Sequence, residues 1–300
     1  MAGVRPAALL VTSLLGPAAV RRLAETLDIR PTKRWGQNFV VDANTVRRIV
    51  RLADISGSDV VLEVGPGLGS LTLGLLDTGA KVIAIEIDPM LARALPQTVA
   101  EHAADRSAQL SVLAVDALQL QPEQLRAWPA PTACVANLPY NIAVPVLLHL
   151  LATFKSLRQG LVMVQWEVAE RLAAPPGSRT YGVPSVKAAW YADVTLPGRV
   201  PRSVFWPVPN VDSGLVAFRC RPAPQTSATR DQVFACVDAA FSQRRKSLRS
   251  ALARWAGGVD AADHALRAAG VDPTLRGERL SVAEFAAIAE QAPEIPAAKP

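Results

Sequence analysis

Val60-Val61-Leu62-Glu63-Val64-Gly65-Pro66-Gly67-Leu68-Gly69 runs an apolar stretch directly into alternating glycines. The first half, rich in β-branched residues, reads as a strand buried on both faces, the kind found in parallel sheets. The glycines permit positive φ and let the backbone approach a ligand closely. Ser70 to Leu76 then reads as a helix. Strand, glycine turn and helix form the nucleotide-binding opening of a doubly wound α/β sheet. The spacing Gly-x-Gly-x-Gly is compressed relative to the dinucleotide fingerprint. No Gly-Lys-Ser/Thr follows, so P-loop chemistry is poorly supported.

Working outward, Val82 to Ile85 reads as a second strand and ends at Glu86. An acid about 20 residues past the glycine turn is where a ribose diol is held. Asp88 and Pro89 read as the cap and first turn of a helix, which Pro96 is expected to kink or end. Ser111 to Val115 is a third strand, ending at Asp116, and the fourth ends at Asn137. Pro145 opens an apolar helix. Leu161 to Gln165 is a fifth strand, and Glu167 to Ala173 a helix. A further helix is expected near Val186 to Ala192, a sixth strand at Val194 to Leu196 and a seventh at Leu215 to Phe218.

Three successive strands thus end in Glu86, Asp116 and Asn137. Ligands of open α/β sheets bind beyond the carboxyl ends of the strands. Each residue alone is an ordinary strand terminus; together, after a glycine turn, they suit one adenosine-containing ligand. Glu86 would take the ribose, Asp116 the adenine amine, and the backbone from Gly65 to Gly69 the rest. The fourth strand runs into Asn137-Leu138-Pro139-Tyr140. Pro139 fixes its own φ and restricts Leu138 to an extended conformation. Two acceptors, the Asn137 amide and the Leu138 carbonyl, then stand side by side with a ring beyond them. That ledge suits an exocyclic amine on a stacked base. Glu86 would serve NAD or S-adenosyl-L-methionine, but Asp116 and the ledge favour S-adenosyl-L-methionine.

The 300 residues allow one large domain or two smaller ones. The formal charge of +6 and the pI near 9.6 favour a polyanionic partner. Cys134, Cys220 and Cys236 have no paired spacing, which suggests a reducing cytoplasm and argues against a disulfide framework or zinc site. His102, His149 and His264 lie far apart, so no metal centre is expected. No apolar run reaches about 18 residues, the length a membrane helix needs. Residues 4–20 faintly resemble a signal peptide, but Val20, Leu23, Ala24 and Leu27 follow helical spacing, so an N-terminal helix with Pro17 in its first turn is expected.

Near the N-terminus, residues 30–39 are basic and aromatic, with Lys33 and Arg34. Asp42 can cap the helix that follows. Phe205-Trp206-Pro207-Val208-Pro209-Asn210 is a second rigid ledge. Residues 221–229 form the clearest linker, and beyond it the chain reads helical. Phe241 to Arg249 carries Arg244, Arg245, Lys246 and Arg249 with no acid between them. Such a run is commonly a solvated helix face; in a basic chain without balancing acids it favours phosphate contacts, helped by Lys33 and Arg34. Ser281 with Glu284 fits a capping box, and residues 292–300 read as a disordered tail.

Taken together, Gly36-Gln37-Asn38-Phe39, Glu63 to Gly69, Glu86-Ile87-Asp88, Asn137 to Asn141, Tyr181-Gly182, Phe205-x-Pro-x-Pro-x-Val211-Asp212-Ser213 and Phe241-x-Gln243-Arg244-Arg245-Lys246 resemble the KsgA/RsmA family of small-subunit ribosomal RNA adenine dimethyltransferases. The resemblance spans residues 30–285; Trp35 is a mild departure. It implies a Rossmann-like class I methyltransferase sheet of seven strands, mostly parallel with an antiparallel seventh, plus a small all-helical C-terminal domain. The expected divisions are an N-terminal extension (1–29), a methyltransferase domain (30–220), the linker and a helical RNA-binding domain (230–291).

The resemblance carries cofactor binding onto Asn38, Val40, Gly65, Glu86, Asp116 and Asn137. Its target is N6 of two adjacent adenosines in the 3′-terminal hairpin of 16S rRNA, each methylated twice in an immature small subunit by a monomeric enzyme. Asn137 and Leu138 would accept the N6 hydrogens, with Pro139 shaping the floor and Tyr140 and Phe205 sandwiching the base. The alternatives are a macrolide-resistance type 23S rRNA adenine methyltransferase, a non-catalytic RNA-binding assembly factor and an NAD oxidoreductase.

Overall fold

Residues 13–29 and 38–291 are described by a computed structural model. Helix α1 (Pro17–Thr26) begins with Pro17 in its first turn, where a fixed φ and a missing N–H cost nothing. Its buried Val20 and Ala24, with Leu15, join the core around the main sheet. The described part of the expected N-terminal extension, residues 13–29, therefore contributes Leu15, Val20 and Ala24 to the main hydrophobic core.

Strand β1 (Phe39–Val40) precedes α2 (Ala43–Ala53), whose Asp42 cap accepts the Thr45 N–H at 2.7 Å. Then follow β2 (Val60–Val64), α3 (Ser70–Asp77), β3 (Lys81–Ile85), α4 (Pro89–His102) and β4 (Leu110–Leu113). Pro96 neither ends α4 nor confines it, since the helix continues to His102. Leu91, Leu95 and Val99, spaced four apart, are buried on one face, and that packing offsets the lost hydrogen bond.

The chain continues through β5 (Ala133–Asn137), α5 (Ala143–Thr153), β6 (Gln159–Gln165), α6 (Trp166–Leu172), α7 (Val183–Ala189), β7 (Ala192–Val200), β8 (Phe205–Trp206) and β9 (Ser213–Cys220). Helix α7 starts and ends earlier than the spacing suggested. Pro184 suits a first turn, and the Ser185 hydroxyl accepts the Gly182 N–H at 3.0 Å, which starts the helix there. Strand β7 is correspondingly longer than expected; it tolerates Pro197 and Gly198 because it lies at a sheet edge.

The main sheet has seven strands in the order β4-β3-β2-β5-β6-β9-β7. The pairs β3–β4, β2–β3, β2–β5 and β5–β6 are parallel, and β9 runs antiparallel to β6. This is the Rossmann-like arrangement expected, including the antiparallel strand. The direction of chain progression reverses between β2 and β5, so a crevice opens beyond their carboxyl ends. A separate ribbon pairs Phe39 with Trp206 and Val40 with Phe205.

The chain forms two compact units. One comprises the residues up to Ala169 with Thr195–Arg219; the other joins Glu170–Val194 to the chain from Cys220 onward. The second unit contains α8 (Arg230–Ser242), α9 (Leu248–Ala251), α10 (Ala253–Ala256), α11 (Val259–Ala268) and α12 (Val282–Glu290). This grouping differs from a single cut at 221–229, because residues 170–194 carry anchors for the helices. The Tyr181 hydroxyl donates to the Leu280 carbonyl at 2.7 Å, Lys187 pairs with Asp238 at 2.8 Å, and the Trp190 and Tyr191 rings meet Phe234 edge-on. Ser281 and Glu284 form the expected capping box on α12.

Candidate active site

At the switch point, a cleft of about 850 Å³, counting the open solvent at its mouth, lies beyond β2 and β5. That is within the range of small-molecule sites. It gathers all six residues expected to hold a cofactor: Asn38, Val40, Gly65, Glu86, Asp116 and Asn137. Ile85, Ile87, Leu91 and Ile142 add apolar walls. Glu63, Glu86 and Asp116 are the acids of the lining, and among the described residues it contains no Lys or Arg.

The glycine turn is shaped by two close approaches. Gly65 has φ +67°, and a Cβ there would point at the Asn137 carbonyl and the Pro139 ring, so the turn sits against the ledge. Gly67 has φ +57°, and a Cβ would stand 2.7 Å from the Phe39 ring. Phe39 in turn stacks on Trp206 at 6.2 Å, so the short ribbon closes down on the turn. Only glycine combines that φ with that proximity.

Glu86 follows β3 and is almost fully buried. Its Oε2 accepts the Gly67 N–H at 3.2 Å and its Oε1 the Asp88 N–H at 3.0 Å. These bonds fix the carboxylate while leaving lone pairs for a pair of hydroxyls. Burial raises its pKa, opposed by those backbone donors. Asp116 stands in the loop after β4, whose strand pairing stops at Leu113, earlier than expected. Its Oδ1 caps the next turn by accepting the Leu118 N–H at 2.9 Å.

Glu63 carried no role in the reading from sequence. It lies inside β2, is 1% exposed, and accepts the Thr72 hydroxyl at 2.7 Å. Desolvation pushes its pKa up to about 8, with the nearby Glu86 adding to the rise. A lone carboxylate within an otherwise apolar buried strand was the signal that could have found it.

Asn137 closes β5. Its Nδ2 donates to the Asn38 carbonyl at 2.9 Å, while its Oδ1 is buried and has no partner among the described residues. An orphaned buried acceptor costs roughly 1–3 kcal/mol, so this oxygen is poised for a donor arriving from the cleft. The Leu138 N–H donates to the Met163 carbonyl at 3.0 Å, which fixes the ledge to β6. Pro139 lines the cleft. Tyr140 is half-buried with its hydroxyl 2.7 Å from the Ser213 hydroxyl, and burial raises its pKa.

Phe205 does not fit the expected base sandwich. It is 2% exposed and belongs to the main core, paired with Val40 in the ribbon. The aromatic-proline pattern placed Phe205 against the base, whereas its ring is buried in the core. In this structure Phe205 supports the strand that carries Asn38 and Val40.

The basic run also divides. Arg244 pairs with Glu278 at 3.1 Å and donates to the carbonyls of Arg179 and Tyr181, which makes it a brace within the helical unit. Arg249 pairs with Asp260 and Asp263. Arg245 and Lys246 are exposed and have no ion pair among the described residues. Acids distant in sequence thus fold back onto half of the run. Lys33 and Arg34 lie outside the described residues. Among the described residues no helix is long and apolar enough to cross a membrane, and no cluster of His, Cys, Asp and Glu is arranged to hold a metal.

Comparison with known proteins places this geometry. The model of the family "Ribosomal RNA adenine dimethylase" matches residues 30–293. The chain is 65% identical to the ribosomal RNA small subunit methyltransferase A of Kineococcus radiotolerans, covering 98% of this chain and 96% of that one. It is 64% identical to the protein of the same name from Thermobifida fusca, covering 93% and 96%. Among solved structures it resembles a dimethyladenosine transferase from Plasmodium falciparum, with a TM-score of 0.68, 24% identity and coverage of 82% and 94%. It also resembles the 23S rRNA methyltransferase ErmE, with a TM-score of 0.62, 25% identity and coverage of 85% and 99%. With nearly its whole length matched, and the glycine turn, Glu86, Asp116 and the Asn137 ledge around one cleft, the chain belongs to the ribosomal RNA adenine dimethylase family.

Proposed function

We propose that the protein transfers methyl groups from S-adenosyl-L-methionine to N6 of two adjacent adenosines in the 3′-terminal hairpin of 16S rRNA, two methyls per base, on an immature small subunit. The observation that carries this reading is the orphaned Asn137 Oδ1 in an acid-lined cleft. Glu86 and Asp116, with a protonated Glu63 beneath them and no Lys or Arg among the described lining residues, suit a cofactor that bears a sulfonium and an ammonium, and suit a pyrophosphate poorly. S-adenosyl-L-methionine supplies a methyl group already activated by the positive sulfur.

The chain's own residues do the rest. Glu86, held by two backbone N–H groups, is placed for the ribose diol, and Asp116 for the adenine amine of the cofactor. The lone pair of the target N6 is delocalised into its ring, so the nitrogen is a weak nucleophile. In the first transfer Asn137 Oδ1 and the Leu138 carbonyl accept its two hydrogens; in the second a single hydrogen remains for one of these acceptors; in both, the contact favours a pyramidal nitrogen with its lone pair aimed into the cleft. Tyr140 offers one face to the base once it is turned out of the RNA stack. The proton leaves to water when the nitrogen becomes cationic.

Small-subunit rRNA is favoured over large-subunit rRNA by relatedness: the two small-subunit relatives named above are 65% and 64% identical, against 25% for the 23S enzyme. The reading is tested by mapping methylated adenines in rRNA from cells lacking the protein. Loss of both dimethyladenosines near the 3′ end, restored by wild type and not by Asn137→Ala, is the expected result. Unchanged small-subunit methylation would refute it.

A further inference from the structure

Beside the ledge, on the far side of β6, lies a second surface cleft lined by Gln165, Trp166, Arg199, Arg202, Val211 and Asp212 among others. It is joined to the candidate active site by short links. Asn137 pairs with Met163, and Gln165 is two residues further along the same strand, about 7 Å away. Gln165 faces Ser213 across the sheet, and Ser213 holds the Tyr140 hydroxyl.

Within this cleft Arg199 is held from two sides. Its Cζ lies 4.9 Å over the Trp166 ring, and its Nε is 2.9 Å from Asp212 Oδ2. Asp212 is itself fixed, accepting the Arg202 N–H at 2.9 Å and giving its carbonyl to the Trp166 N–H at 3.0 Å. The Arg199 carbonyl accepts Arg48 at 3.0 Å. One face of the guanidinium is covered by Trp166, yet the side chain remains 58% exposed. Arg202 is exposed and has no ion pair among the described residues. Val208 and Val211, at 59% and 45%, are exposed apolar neighbours.

We propose that the outer face of Arg199 is a stacking platform for the nucleotide adjacent to the adenosine being methylated, with Arg202 contacting its phosphate. The proposal rests on the RNA-substrate reading above. Single-stranded RNA is recognised by splayed bases stacked on aromatic rings and on arginine planes. A guanidinium neutralised by Asp212 draws phosphate weakly, but its plane is pre-organised, so stacking on it loses little side-chain entropy. A base turned out at Tyr140 leaves its neighbour unstacked on one side, and the platform replaces the missing stack.

The test is a two-by-two binding cycle. Wild type and Arg199→Lys are titrated with a hairpin RNA carrying the target adenosines, and with the same hairpin abasic at the neighbouring position. Lysine keeps the charge and the partner Asp212 but has no plane to stack on. With the stack lost, lysine is expected to weaken binding of the intact hairpin roughly tenfold, equivalent to about 1.4 kcal/mol. The abasic RNA should cost wild type the same factor and the lysine variant nothing more. Cofactor affinity and thermal midpoint should not move. Equal binding of the intact hairpin by both proteins, or independent effects of the two changes, would overturn the platform. The abasic RNA tests wild type without any change to the protein. Absence of methyl transfer by wild type to undermethylated subunits would refute the functional reading, and the binding cycle decides the platform either way.

Discussion

The Asn137 side-chain amide donates to the backbone carbonyl of Asn38 at 2.9 Å, joining residues 99 positions apart. The bond uses the donor end of the amide and leaves the acceptor end facing the cleft. Asn38 thus orients the ledge as well as lining the pocket. Asn137→Asp keeps an acceptor but sets a second oxygen against the Asn38 carbonyl. Hydrogen bonds involving charged groups are worth about 1.5–3 kcal/mol, so single-turnover methyl transfer should fall by roughly ten- to a hundredfold. RNA affinity measured by filter binding should remain near wild type.

Gly67 has both a left-handed φ and the Phe39 ring against it. Gly67→Ala should cost about 1–2 kcal/mol from the backbone alone. Displacing the turn should also weaken cofactor binding, read by calorimetry. Adding Phe39→Leu removes the clash and not the φ strain, so it should restore part of the affinity and little of the thermal midpoint.

Glu63 gives a pH signature of unusual sign. Its folded-state pKa is about 8, against an ordinary 4.5. Between those values the folded protein holds a proton that the unfolded chain has lost. Stability from this group is therefore full below about pH 4.5, falls as pH rises toward 8, and is flat above. Glu63→Gln removes the dependence. Denaturation midpoints of the two proteins, compared from pH 5 to 8, should diverge progressively in favour of the glutamine variant. A constant offset would show that Glu63 is not protonated in the fold.

The basic run should separate into brace and RNA-facing residues. Arg244→Ala removes an ion pair and two donations to carbonyls, and should lower the thermal midpoint. Arg245→Glu and Lys246→Glu touch no such bonds. They should leave the midpoint unchanged while weakening RNA binding, with the salt slope falling by about one for each phosphate that is no longer neutralised. An unchanged slope would return both residues to a solvated surface.

The succession of strands and the ends at Glu86 and Asn137 were legible because they follow local rules: buried β-branched runs, a glycine turn, polar residues at strand termini; Asp116 instead stands in the loop beyond β4, which ends at Leu113. Asn38 and Val40 were reached only through resemblance, since their place in the cleft depends on pairing with Phe205 and Trp206 far along the chain. That same pairing misled the reading of Phe205. A ring next to prolines looks exposed in sequence, and nothing local shows that Val40 will cover it. Arg244 is a similar case, because Glu278 and the carbonyls of Arg179 and Tyr181 come from distant segments. At Pro96 the expected helix end does not occur, because the buried face of Leu91, Leu95 and Val99 carries α4 through to His102.

The helical unit is assembled from Glu170–Val194 and the chain beyond Cys220. During synthesis its first piece leaves the ribosome before the helices that Tyr181, Lys187 and Trp190 will anchor. Residues 195–219 return to the sheet in between, so β7 and β9 can complete the catalytic unit while the helical one is still half made. Exchanging the helical part between relatives therefore requires transplanting both pieces, and a cut at the linker alone would strand one of them.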